Sequence, residues 1–209
     1  MRQTCREAAN VGIRALLLFF VGIFFAVVLN LLQVQRRVTF FPPDDDSWTY
    51  ALLYSAWWVP PSVGMATVII GLAYPCFDGL FGSRKVPCIG WSAVIRCVAV
   101  FVGINHASTK IIFTDNLQLL VSLAAMSLGL WFLFDRSQIG LILGLIISAL
   151  ATVGTQILVY NGLFQYRDPD FLYIRSWLPC IYFSGGVTFG SIGRQLAWEK
   201  FIRSHEKIE

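Results

Sequence analysis

Charge is scarce in this sequence. Only 13% of its 209 residues are Asp, Glu, Lys or Arg, whereas 56% are hydrophobic; soluble domains carry about 25% charged residues. That shortage excludes an ordinary soluble domain. Histidine is scarcer still, with two residues, His106 and His205, and neither has a second His or Cys at helical spacing. A metal centre or a base-assisted nucleophile has little to build from. The five cysteines, Cys5, Cys76, Cys88, Cys97 and Cys180, are scattered and form no C-x-x-C pair, which excludes a zinc ribbon and offers no disulfide framework. Asp and Glu never pair at i, i+3 or i+4 within an apolar run, and cluster instead in polar stretches such as Asp44–Asp46 and Asp168/Asp170. Acid–base or ion-coupled chemistry at mid-depth in a membrane is therefore not expected. A net charge of +4 spread over loops is too thin for a nucleic-acid surface, and no N-x-[ST] sequon occurs.

What is abundant is apolar sequence in runs of membrane-spanning length. A hydrocarbon core of about 30 Å requires roughly 20 apolar residues per helix. Six such runs can be read, at Gly12–Gln33, Tyr50–Tyr74, Trp91–Ala107, Leu117–Phe134, Ile139–Tyr160 and Phe171–Ala197. The expected fold is all-α, a polytopic six-helix membrane bundle forming one domain over 1–209, with short tails at 1–11 and 198–209. No cleavable signal pattern opens the chain, so the first run is expected to stay as a span. Pro60 and Pro61 in WWVPPSVG are expected to break or kink the second run. The loops around Gln35–Thr49 and Pro75–Gly90 are too short to fold alone.

Six spans put both termini on one face. Of the 16 Lys and Arg residues, only Arg36, Arg37, Lys110, Arg167 and Arg175 fall on the other face. By the positive-inside rule the termini are expected in the cytosol.

Small residues recur at close-packing spacing: Gly140 and Gly144 in the fifth run, Gly186 and Gly190 in the sixth. Such pairs let helix backbones approach, either within the bundle or against a second membrane protein. On a wheel of about 100° per residue, the fourth run carries two stripes. Gln118, Ser122, Ala125 and Gly129 form a small, polar one, and Ala124, Leu128, Trp131 and Asp135 form the other. The first can hydrogen-bond a hydroxyl. The second sets a bulky indole beside a carboxylate at the end of the run.

The segments LNLLQVQR, SAWWVPP, GLAYPC, RCVAVFVGINHAS, LGLWFLFDRS, LVYNG, DPDFLYIRSWLPCI and GSIGRQLA, in this order, resemble the Insig proteins of the endoplasmic reticulum, from Gly12 to Ala197. The resemblance implies a non-enzymatic, oxysterol-dependent tether without a cofactor, binding an oxysterol such as 25-hydroxycholesterol. Such a protein retains the Scap–SREBP complex and recruits HMG-CoA reductase and a membrane-bound ubiquitin ligase, so that it regulates cholesterol synthesis. It implies oxysterol-binding roles for Phe101, Gln118, Ser122 and Trp131, and Scap-binding roles for Asp135 and Trp131. Ser122 stands where the family usually has threonine, keeping the hydroxyl and losing a methyl. WWVPPSV replaces the family's WWVPPCC, and the 79–90 loop departs from the family text. Membrane lipids, and a second copy of the chain, complete the partners expected; nucleic acid is not among them. A small transporter or channel, or a generic lipid-binding scaffold, is the alternative the residues leave open.

Overall fold

The computed structural model describes residues 2–35, 39–40, 57–81, 90–110, 116–163, 165–166, 169 and 171–205. Among them are six helices: α1 (Arg2–Gln35), α2 (Val59–Leu80), α3 (Trp91–Lys110), α4 (Asn116–Phe134), α5 (Gln138–Tyr160) and α6 (Leu178–His205). Thr39–Phe40 (β1) pairs antiparallel with Gln165–Tyr166 (β2). The first five helices are each long and apolar enough to cross a membrane.

The bundle is apolar on the outside. Phe24, Ile69, Leu133 and Leu150 are all well exposed, as expected where the surrounding solvent is lipid. Every helix buries some polar side chains, and Ser184, Thr188, Ser191, Arg194 and Gln195 are buried in α6, which runs through the middle against α2, α3, α4 and α5. From Phe183 to Gln195 every α6 residue is buried. Its hydroxyls are satisfied locally: Ser184 donates to the Ile181 carbonyl, Thr188 to Ser184 and Ser191 to Val187. Its small residues admit the neighbours closely. Phe183 of α6 packs onto Gly144 of α5, and Gly190 and Gly193 of α6 face Tyr74 and Gly71 of α2. The glycine pairs of the fifth and sixth runs are thus used inside the bundle.

Two expected spans shift. α2 is not broken at Pro60 and Pro61. It starts at Val59 with those prolines in its first turn, where the N–H groups have no helical acceptor to lose. It then runs through Pro75 to Leu80, so that part of the expected 75–90 loop is helix. Residues 50–56 of the expected span lie outside the described residues. The last span does not begin at Phe171. Residues 171–174 form a bridged turn in which Leu172 and Tyr173 have positive φ, and the helix begins at Leu178 with Pro179 in its first turn. α3, α4 and α5 lie close to the expected bounds.

Candidate functional site

The alternating helices bring three features to two ends of the bundle. Near the end away from the chain termini is a partly open cavity of about 390 Å³, within the roughly 300–1,000 Å³ of small-molecule sites. It lies among α1, α2, α3, α5 and α6 and is walled mainly by apolar side chains, Phe25, Phe101 and Phe189 among them. Those three rings form one aromatic cluster, with centroids 5.7–6.3 Å apart. A few polar groups enter. Thr155 Oγ1 and the Tyr182 hydroxyl are 2.6 Å apart, and Tyr182 also bonds Tyr166 of β2. The Asn30 amide nitrogen is buried there without a hydrogen-bond partner among the described residues. Burial pushes the Tyr166 hydroxyl far up from its ordinary range, so it stays neutral.

The second feature is the outward face of α4. Gln118 is exposed and Ser122 half-buried, with Ala125 exposed and Gly129 half-buried below them. The polar stripe read from the sequence therefore turns away from the core. Neither Gln118 nor Ser122 borders the cavity.

The third feature lies at the terminal end, where three residues distant in sequence meet. Arg194 of α6 bonds Asp78 of α2 through both Nε (2.6 Å) and Nη2 (2.9 Å), and reaches Asp135 Oδ1 through Nη1. The fork-on-carboxylate geometry is the strong form of this pair. Its plane lies over the Tyr74 ring, 4.8 Å from the centroid, and the Tyr74 hydroxyl donates to the Gly140 carbonyl. Ser137 caps α5: its Oγ accepts from Gly140 N (2.9 Å) and Arg194 Nη2 (3.1 Å) and donates to Asp135 Oδ1 (2.7 Å). Trp131 closes the turn by donating its indole N–H to the Ser137 carbonyl at 3.0 Å. Burial raises the Asp135 carboxyl above the usual carboxylate range, against the pull of Arg194 and Ser137.

The expected site is thus divided. Phe101 is buried beside the cavity, Gln118 and Ser122 lie on the outer face of α4, and Trp131 and Asp135 lie roughly 20 and 25 Å from Gln118 along the helix axis at 1.5 Å per residue. The structure does not bring Phe101 and Gln118 together. Asp135, expected to offer its carboxylate to another protein, is only 1% exposed, and its Oδ1 is taken by Arg194 and Ser137 of its own chain. Asp78, expected in the 75–90 loop, is likewise buried, in the last turn of α2. What sequence reading missed is Arg194 as their common partner. The available signal was an arginine directly following the small-residue run SGGVTFGSIG in an otherwise weakly polar helix, since a buried charge requires a partner.

These features define a polytopic helical membrane protein built around a polar, glycine-rich central helix, with a lipid-sized cavity at one end and a buried ion cluster at the other. The insulin-induced protein (INSIG) family profile matches residues 13–197, and the chain belongs to that family. It is 58% identical to the insulin-induced gene 2 protein of Gallus gallus over 188 residues, covering 90% of this chain and 82% of that one. It is 61% identical to the insulin-induced gene 1 protein of Bos taurus over 184 residues, covering 88% and 66%. A solved mycobacterial Insig homologue, MvINS from Mycobacterium vanbaalenii, shares the fold with a TM-score of 0.74 at 20% identity, covering 88% of this chain and 94% of that one.

Proposed function

We propose that this protein is a regulatory, non-catalytic tether of the endoplasmic-reticulum membrane, with both termini cytosolic, that binds an oxysterol such as 25-hydroxycholesterol. With the sterol bound it retains the Scap–SREBP complex and recruits HMG-CoA reductase together with a membrane-bound ubiquitin ligase. Family membership supports the reading, and one observation carries it furthest. The polar stripe of α4, Gln118 and Ser122, faces outward from a bundle whose outer surface is largely apolar. An amide held against lipid favours a hydroxylated ligand, because an oxysterol hydroxyl buried without a partner costs roughly 1–3 kcal/mol. A sterol lying there also presents its other face to a partner's helices. A homo-oligomer fits the same family, since one solved form of MvINS is a cross-linked trimer.

The cavity favours a second reading, in which the sterol enters the bundle beside Phe101. Saturable binding of radiolabelled 25-hydroxycholesterol to the purified protein separates the two. On the α4 reading, Gln118→Ala weakens binding about tenfold while Cys180→Ala and the cavity-filling Ala151→Phe bind as wild type. Loss in Ala151→Phe with unchanged binding by Gln118→Ala moves the site into the cavity. Sterol binding that leaves Scap capture unchanged overturns the tether.

A further inference from the structure

We infer that Asp78 and Arg194 are positioning residues for partner retention: together they lock the α4–α5 turn, and Asp135 acts through that lock rather than by touching a partner. The inference rests on the tether reading above and deepens it.

The turn is held against its own backbone preference. Arg136 has φ +56°, a left-handed conformation that a non-glycine residue rarely adopts and that persists where the surroundings over-determine it. Here the surroundings are specific. Arg136 N and Asp135 N both donate to the Trp131 carbonyl at 2.9 Å, which folds the chain back so that Asp135 enters the bundle while Arg136 stays exposed. Inside, Asp135 meets Arg194 and Ser137, and its second oxygen lies against Gly140 so closely that no Cβ could stand there.

The direction of the lock follows from which groups orient which. Asp78 grips Arg194 from one side through Nε and Nη2, so the guanidinium can present Nη1 to Asp135 and the same Nη2 to Ser137. Ser137 in turn holds the Gly140 amide in the first turn of α5 and, through its carbonyl, the Trp131 indole. A chain of contacts therefore runs from α2 through α6 to the ring of Trp131. Trp131 is half-buried, and its neighbours Phe132 and Leu128 are exposed on the outer surface, where a helix of a partner would lie. Asp78 is buried on another helix, and its link to the turn runs through Arg194.

The test uses the full-length protein in detergent, with two readouts on each variant: hydrogen exchange of the peptide spanning residues 131–143, and sterol-dependent co-precipitation of the polytopic partner. Asp78→Ala and Asp135→Ala are each expected to raise exchange at the turn at least fivefold and to lower partner capture by a similar factor. Asp135→Asn keeps an oxygen for Ser137 and Arg194 without the charge, and is expected to restore both readouts to within twofold of wild type. Wild-type exchange at the turn in Asp78→Ala overturns the inference. So does loss of capture in Asp135→Asn while the turn stays protected, because the partner would then be reading the carboxylate itself. Should the wild type capture no partner, the tether reading fails and the exchange measurement alone decides the lock.

Discussion

Alanine at Gly193 should be among the most damaging single-methyl additions in this protein, for a reason visible in the α2–α6 crossing. Pro75 has no N–H to offer the Gly71 carbonyl, and Gly193 of α6 lies so near that carbonyl that a Cβ on it would run into the oxygen. A methyl there overlaps the oxygen, so the helices must part by roughly 1.5 Å before an ordinary C···O distance of about 3.3–3.6 Å is regained. Arg194 is the next residue and Asp78 lies two turns along α2 from Gly71, so the same displacement stretches the ion pair now at 2.6 and 2.9 Å. Overpacking costs about 1–3 kcal/mol and weakened charge-assisted bonds about 1.5–3 kcal/mol. Together, about 3–5 kcal/mol at 2–4 °C per kcal/mol lowers the melting temperature by roughly 6–20 °C. Gly129→Ala is the matched control, because a Cβ at that position meets nothing within 4 Å, and alanine gains up to about 1 kcal/mol in a helix interior. Thermal unfolding of both variants in one detergent checks the contrast. If Gly193→Ala melts with the wild type, α2 and α6 do not cross as closely as described.

Arg194→Met should be far worse than Asp135→Asn. The first leaves two carboxylates buried without a counter-charge, at about 3–5 kcal/mol, whereas the second leaves a neutral Arg194–Asp78 pair and costs about 1–1.5 kcal/mol; the yield of monodisperse protein and its melting temperature measure both. Topology is checked with a tag after Glu209, which the bias of Lys and Arg toward the terminal face predicts to be digested by protease added to sealed microsomes; protection would reverse the orientation. Tyr182→Phe should leave the fold intact yet lower melting by a few degrees, since Thr155 and Tyr166 lose a shared partner worth roughly 1 kcal/mol each.

Hydrophobic runs made the helices legible, because a lipid-facing helix must be apolar over its whole length, and α3, α4 and α5 fall close to where those runs lie. The boundaries that moved are those governed by proline. In WWVPPSVG the local sequence is the same whether Pro60 breaks a helix or starts one. Only the packing of the following residues against α1 and α6 decides, and that is a non-local fact. The same holds for α6. Its small and hydroxylated residues look like a weak membrane span when read alone, yet they are suited to the one helix that the others screen from lipid.

The site was legible in its parts and not in its assembly. The wheel of α4 correctly separated the Gln118 stripe from the Trp131 stripe, since both depend only on helical spacing. It could not show that Asp135 turns inward. That requires Arg136 in a left-handed conformation, Gly140 without a side chain and an arginine nearly sixty residues away, and none of these follows from periodicity. The mildly unfavourable carboxylate at the negative end of a helix dipole, costing about 0.3–1 kcal/mol, was a sign that stability within α4 alone does not place it there. Arg194 supplies the missing interaction, and does so while also binding Asp78. Two carboxylates on one guanidinium leave the cluster with an excess negative charge inside an apolar bundle, where replacement by apolar residues of similar volume would often stabilise the fold. A charge cluster retained where packing alone would hold better is more readily explained by the geometry it imposes on the α4–α5 turn than by the stability it adds.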